Sequence, residues 1–203
     1  MKNFCRAILN LGVLFILISS ALAAKVGEPA PDFTATDSNG KGHHLADYKG
    51  KFVVLEWHNQ GCPYTRKHYE SGNMQRLQKE WTNKGVVWFT VISSAPGTQG
   101  YVTPAEENDY VGKMKAAPTA VLLDPDGTVG HLYKAMTTPH MYIIDPQGRL
   151  IYNGAIDDHP TSDASDIASS KNYVSTALQQ AMGGKPITEA ATRPYGCTVK
   201  YKN

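Results

Sequence analysis

The chain has 203 residues but only three cysteines and five phenylalanines. Three cysteines exclude a disulfide-dense scaffold and a four-cysteine zinc site. The longest apolar run, residues 7–18, is shorter than the ~20 residues that a helix needs to cross a bilayer, and no basic stop-transfer cluster follows it. Basic runs interleaved with aromatics are missing, which argues against nucleic acid as a partner. There is no acidic tail, repeat array or low-complexity tract.

What is present begins with "MKNFCRAILNLGVLFILISSALAA". Lys2 and Arg6 supply a positive end, the apolar run follows, and Ala21-Leu22-Ala23 offers the small-x-small pattern of a signal-peptidase site. Residues 1–24 therefore read as a cleaved signal peptide, and the protein as exported, to the periplasm in a Gram-negative cell. Cleavage leaves 18 basic and 18 acidic residues, so the mature chain is formally neutral. It also removes Cys5, leaving Cys62 and Cys197 in an oxidising compartment. Residues 25–185 suit one domain with a full hydrophobic core, and residues 186–203 form a tail carrying Cys197.

Along the chain, residues 33–45 alternate about an Asn39-Gly40 turn, a hairpin signature. "KFVVLEW", residues 51–57, reads as a strand buried on both faces, and "GVVWFTVISS", residues 85–94, as a second. A helix follows Pro63, breaks near Ser71-Gly72 and resumes at Asn73 with Met74, Leu77 and Trp81 on one face. Thr103-Pro104 with Glu106 forms a capping box that opens a helix through Met114. "TAVLLD" is a short strand ending in a Pro-Asp-Gly turn, residues 141–155 are two strands about a Pro-Gln-Gly turn, and a last helix from about Asn172 places Tyr173, Val174, Ala177, Leu178, Ala181 and Met182 on one face before Gly183-Gly184 ends it. Helices alternating with strands predict an α/β sandwich on a mixed central sheet.

The candidate chemistry sits at Gly61-Cys62-Pro63-Tyr64-Thr65, one cysteine short of a C-x-x-C redox motif. Cys62 lies where a strand gives way to a helix, so unpaired N–H groups and the positive end of the helix dipole favour its thiolate. Pro63 suits the first helical turn. Glu56 interrupts an apolar strand. It is either buried, with a raised pKa that makes it a proton acceptor, or it faces water from an edge strand. Cys197 stands beyond the last helix, in a segment able to lie back across the domain. A Cys62–Cys197 disulfide either cycles or is static; closing so long a loop would stabilise the fold by ~4 to 5 kcal/mol in the chain-entropy model. The histidines at 43, 44, 58, 68, 140 and 159 read as scattered surface residues rather than metal ligands, and Asp157-Asp158-His159-Pro160 as a polar loop. No metal or cofactor is implied.

Residues 26–62 and "LLDPDGTVGHLYKAMTTPHMYIIDPQGRLIYNGAID" resemble the thioredoxin-fold redoxins, in particular the peroxiredoxin-like branch of the alkyl hydroperoxide reductase and thiol-specific antioxidant superfamily. The likeness covers residues 26–182 and implies a thioredoxin-like fold. In thioredoxins an acid stands six residues before the first active-site cysteine, the spacing of Glu56 to Cys62, and a cis-proline faces the sulfur. Thr138-Pro139 matches that position. The resemblance implies that Pro139 is cis and packs on Cys62, and that the Thr138 backbone is open for pairing with an extended thiol substrate. Two family patterns are not met. Thr65 replaces the second C-x-x-C cysteine, and Leu55 and Asn59 stand where the peroxiredoxin P-x-x-x-T-x-x-C motif has Pro and Thr.

The sequence thus reads as an exported thiol oxidoreductase, with Cys62 attacking, Cys197 resolving, Glu56 managing the proton, and Pro63, Thr138 and Pro139 forming the substrate groove. Its redox partner would be a thiol or disulfide protein, or a small thiol. Two alternatives stay open: a slow thiol peroxidase that passes through a sulfenic acid at Cys62, and a redox-silent binding module locked by a Cys62–Cys197 disulfide.

Overall fold

A computed structural model describes residues 24–202. The signal-peptide expectation lies outside those residues, except for Ala24. The hairpin about Asn39-Gly40 joins β1 (Thr34–Asp37) to β2 (Gly42–His44), paired antiparallel. β3 (Val53–Trp57) leads to α1 (Pro63–Glu70) and α2 (Asn73–Asn83), separated where Gly72 takes a φ of 74°. β4 (Val87–Ile92) is followed by α3 (Pro104–Met114), which carries the complete Thr103–Glu106 capping box. Then come β5 (Ala120–Leu123), α4 (Thr128–Tyr133), β6 (Thr137–Thr138), β7 (His140–Ile144) and β8 (Leu150–Gly154). α5 (Tyr173–Met182), capped by the Asn172 side chain, and β9 (Cys197–Thr198) complete the chain.

Seven strands form one mixed sheet in the order β2-β1-β5-β4-β3-β7-β8, while β6 and β9 pair separately. β3 runs parallel to β4 and antiparallel to β7, so it is central, and all five of its residues are buried. That placement settles Glu56 as a buried residue rather than an edge residue facing water. Alternation along the strands divides the core. Val53, Leu55 and Trp57 pack with Phe89, Tyr133 and Tyr142 on one face. Val54 packs on the other with Trp88, Met141, Leu77, Trp81, Val174 and Leu178. Among the described residues no helix is long and apolar enough to cross a membrane.

Two local expectations change, and one helix has no counterpart in the sequence reading. α4 follows the Pro-Asp-Gly turn directly; its six residues are too few for a helical period to stand out in the sequence. Met182, expected on the packed face of α5, is 42% exposed because the packing ends near Leu178. The histidines are not scattered over the surface: His43, His58, His68 and His140 are all buried.

Candidate functional site

Cys62 is the N-cap of α1, with Pro63 at the first helical position, and its amide donates to the Asn59 carbonyl at 3.0 Å. The Asn59 side chain folds the approach loop by accepting from the Gly61 amide at 2.8 Å. Strand β3 thereby ends in a turn that delivers the sulfur to a helix start, where N–H groups have no partner within the helix. Cys62 is fully buried. Its thiol donates to the Thr138 carbonyl at 3.0 Å, and the Thr138–Pro139 peptide bond is cis.

The Thr138 backbone is not open, contrary to expectation. β9 occupies it, pairing Thr138 with Cys197 and Thr137 with Thr198 in antiparallel register. The two cysteines are free thiols, and Cys197 pairs with the same Thr138 that the Cys62 sulfur contacts. Burial works against the Cys62 thiolate, but the Cys197 thiol, Thr138, and the Thr65 and Cys197 amides outweigh it and hold Cys62 below its ordinary pKa. Burial, then the neighbouring Cys62, pushes Cys197 up to about 11. The pair is therefore polarised, with the negative charge favoured on Cys62. Thr65, which stands in place of a second motif cysteine, is fully buried and its hydroxyl has no partner.

The tail that carries Cys197 is docked along most of its length. Thr192 bonds Tyr152 Oη at 2.7 Å and accepts from the Ala155 amide at 2.9 Å. The Val199 amide donates to Met136 O at 3.0 Å, the Ala95 amide to Lys200 O at 2.8 Å, and Tyr201 Oη to Ala135 O at 2.7 Å. Tyr195 donates its hydroxyl to Asp157 and packs edge-on to Tyr64 at 5.9 Å between ring centroids. Asp157 is no part of a solvated loop. It is 2% exposed, with Lys67 Nζ at 3.6 Å and His68 Nε2 at 3.8 Å. Lys67 also donates to His159 O at 2.9 Å. Burial holds His68 neutral, its pKa lowered to about 4. Sequence reading missed this cluster because its members come from α1, a loop and the tail, and nothing local marks a lysine or aspartate as buried. The one available signal was an aromatic two residues before a cysteine, the spacing that places both on one face of a strand.

Glu56 sits apart from the sulfurs. It accepts hydrogen bonds from Tyr69 at 2.8 Å, Trp88 at 2.8 Å, Gln78 at 3.2 Å and Thr90 at 3.3 Å, and neither cysteine is among its partners. Burial raises its pKa against those four donors. Beside it, His58 has both ring nitrogens buried without partners and a pKa lowered by burial to about 3. Glu107 is pushed up to about 8 by burial and by the charge of Glu56. The structure thus brings Cys62, Pro63, Thr138, Pro139 and Cys197 together, and gives Glu56 a separate buried network. Among the described residues no group of His, Cys, Asp and Glu is arranged to hold a metal ion.

A cysteine on a helix start, facing the residue before a cis-proline across a mixed sheet, defines a thioredoxin-fold redoxin. The chain belongs to the AhpC/TSA family, whose model matches residues 26–153. It is 27% identical over 165 residues to the thiol-disulfide oxidoreductase ResA of Bacillus subtilis, covering 74% of this chain and 86% of that protein. It is 25% identical over 181 residues to the "Probable glutathione peroxidase 8-B" of Xenopus laevis, covering 82% and 84%. An uncharacterized conserved protein from Geobacillus kaustophilus shares the fold, with a TM-score of 0.73 at 24% identity over 88% of this chain and 93% of that one.

Proposed function

We propose that the protein is an exported thiol–disulfide oxidoreductase in which Cys62 is the nucleophile and Cys197 the resolving thiol. The observation that carries this reading is the position of Cys197: paired with Thr138, beside a Cys62 sulfur that the same residue contacts. The Cys62 thiolate attacks a partner disulfide, R–S–S–R′, forming Cys62–S–S–R and releasing R′–S⁻. Cys197, once deprotonated, attacks the Cys62 sulfur, forming the Cys62–Cys197 disulfide and releasing R–S⁻. Two electrons pass to the partner, and an external dithiol returns the pair to thiols. Likeness to an oxidoreductase of that class supports the same reading. Glu56 takes no step in this scheme, because its hydrogen bonds go to Tyr69, Trp88, Gln78 and Thr90 and to neither sulfur.

The peroxidase alternative has a relative in its favour but little support from the site. Leu55 offers no polar group, and Asn59 is committed to its own turn. The deciding experiment is equilibration of Cys62 and Cys197 against dithiol redox buffers, read by mass after alkylation. A potential above about −300 mV is expected for a cycling pair, whereas a lower one makes the bond structural and favours the redox-silent module.

A further inference from the structure

The most constrained contact in the tail is Gly196. Its φ is +134°, a conformation that side-chain-bearing residues rarely adopt. A Cβ built there would lie 2.1 Å from the Thr138 oxygen and 2.8 Å from the Thr138 carbonyl carbon. Those atoms are backbone and cannot rotate aside as a side chain could. Glycine therefore lets the tail come close enough to Thr138 to seat Cys197 beside Cys62. Two residues before the cysteine, Tyr195 lies against Tyr64 with its hydroxyl on Asp157, and Lys67 Nζ is 5.8 Å from its ring centroid. A hollow of about 550 Å³, lined by Thr137, Asp157, Pro160, Tyr173 and the tail itself, opens alongside.

We propose that residues 195–198 are an internal copy of a substrate strand, and that the groove along Thr137 and Thr138 accepts in their place an extended segment of another protein reading aromatic-Gly-Cys. This rests on the reading of Cys62 as nucleophile and adds to it the substrate class and a rule of selection. Glycine is required before the cysteine by the approach to the Thr138 carbonyl, and the aromatic is received by Tyr64 and Asp157. Tail and partner exclude one another, since both need the same backbone groups of Thr138. The partner displaces the tail to react, and the returning tail displaces the partner as Cys197 resolves the mixed disulfide.

The test uses the full-length chain in two forms: Cys197→Ser, whose tail stays seated, and Cys197→Ser with Gly196→Ala, whose tail cannot seat. Each is mixed with the peptide Arg-Pro-Tyr-Gly-Cys-Thr-Val-Lys, its cysteine held as a disulfide to thionitrobenzoate, with its Gly-to-Ala analogue, and with 5,5′-dithiobis(2-nitrobenzoate). Attack by Cys62 makes the Cys62–peptide disulfide and releases coloured thionitrobenzoate. With the tail unseated, the glycine peptide is expected to react on the order of tenfold faster than the alanine peptide. The seated form should lag behind the unseated form by a similar factor with the glycine peptide. Two peptides reacting within about twofold of each other, or seated and unseated forms reacting alike, while the small disulfide still reacts, would overturn the groove assignment and leave Cys62 as nucleophile. If even the small disulfide fails to react with the unseated form, the reading of Cys62 falls, and the groove assignment with it. Should Gly196→Ala fail to fold, the glycine and alanine peptides compared on Cys197→Ser alone still test the selection, and rates within about twofold of each other while the small disulfide reacts would overturn it.

Discussion

The two sulfurs are the same atom in two kinds of surroundings. Cys62 owes its setting to neighbours in sequence: the Asn59 turn, Pro63 and the first turn of α1. Cys197 owes its setting to partners far along the chain, including Thr138 and, through Tyr195, Asp157 and the Lys67 beneath it. Against the opposing effect of burial, the docked Cys197, Thr138 and the Thr65 amide hold Cys62 below an ordinary thiol's pKa, while burial and then Cys62 itself push Cys197 up to about 11. The proposed redox pair thus joins a sulfur placed by local sequence to one delivered by docking. Because the docked Cys197 is among the groups that lower the Cys62 pKa, releasing the tail changes both sulfurs at once.

The sharpest break in that comparison is replacement of each sulfur. Cys62→Ser should reduce disulfide exchange to the uncatalysed background, whereas Cys197→Ser should complete one exchange and stall as a Cys62 mixed disulfide visible by mass. Next in size is the support of the docking side. Lys67→Met leaves Asp157 buried without its cation and should cost about 3 to 5 kcal/mol in urea unfolding. Away from both sulfurs, Glu107 binds a proton in the folded state that the unfolded chain releases, because burial and then Glu56 raise its pKa from 4.5 to about 8. Its contribution is therefore present at low pH and lost as pH rises through that window. Glu107→Gln should be about 2 to 4 kcal/mol more stable than the parent at pH 8 and nearly equal to it at pH 4.5. Smallest is the contrast between the thiols themselves. Mass-resolved alkylation should give Cys62 a midpoint below that of an ordinary thiol, near ~8.5, and Cys197 one above it. The released tail must be allowed for, since Cys62 is fully buried while the tail is seated. Equal midpoints would erase the polarity of the pair.

Most of the scaffold was legible because it follows local rules. The broken helix after Pro63, the Thr103–Glu106 box, the Asn172 cap and the two-faced strand β3 each follow from spacing or from one residue's preferred conformation. Cys62 at a helix start was legible for the same reason, and the Thr138–Pro139 cis bond through resemblance. What sequence did not carry was burial of charge and the course of the tail. Asp157 and Lys67 look solvated until α1 and the loop after β8 are brought together. The tail reads as mobile until its carbonyls, amides and tyrosines find partners at positions from 95 to 157. Even Glu56, whose burial was one of two readings, was decided by sheet order and not by its own segment.

The network around Glu56 has an optical side. Trp88 donates its indole N–H to one Glu56 oxygen at 2.8 Å, whereas the indoles of Trp57 and Trp81 donate to serine hydroxyls, those of Ser93 and Ser175. An indole bonded to a carboxyl group experiences a different electric field when that group gains or loses a proton. Trp88 is thus an intrinsic fluorophore wired to the one acid in the centre of β3, and its emission reports the charge on Glu56 without any label being added.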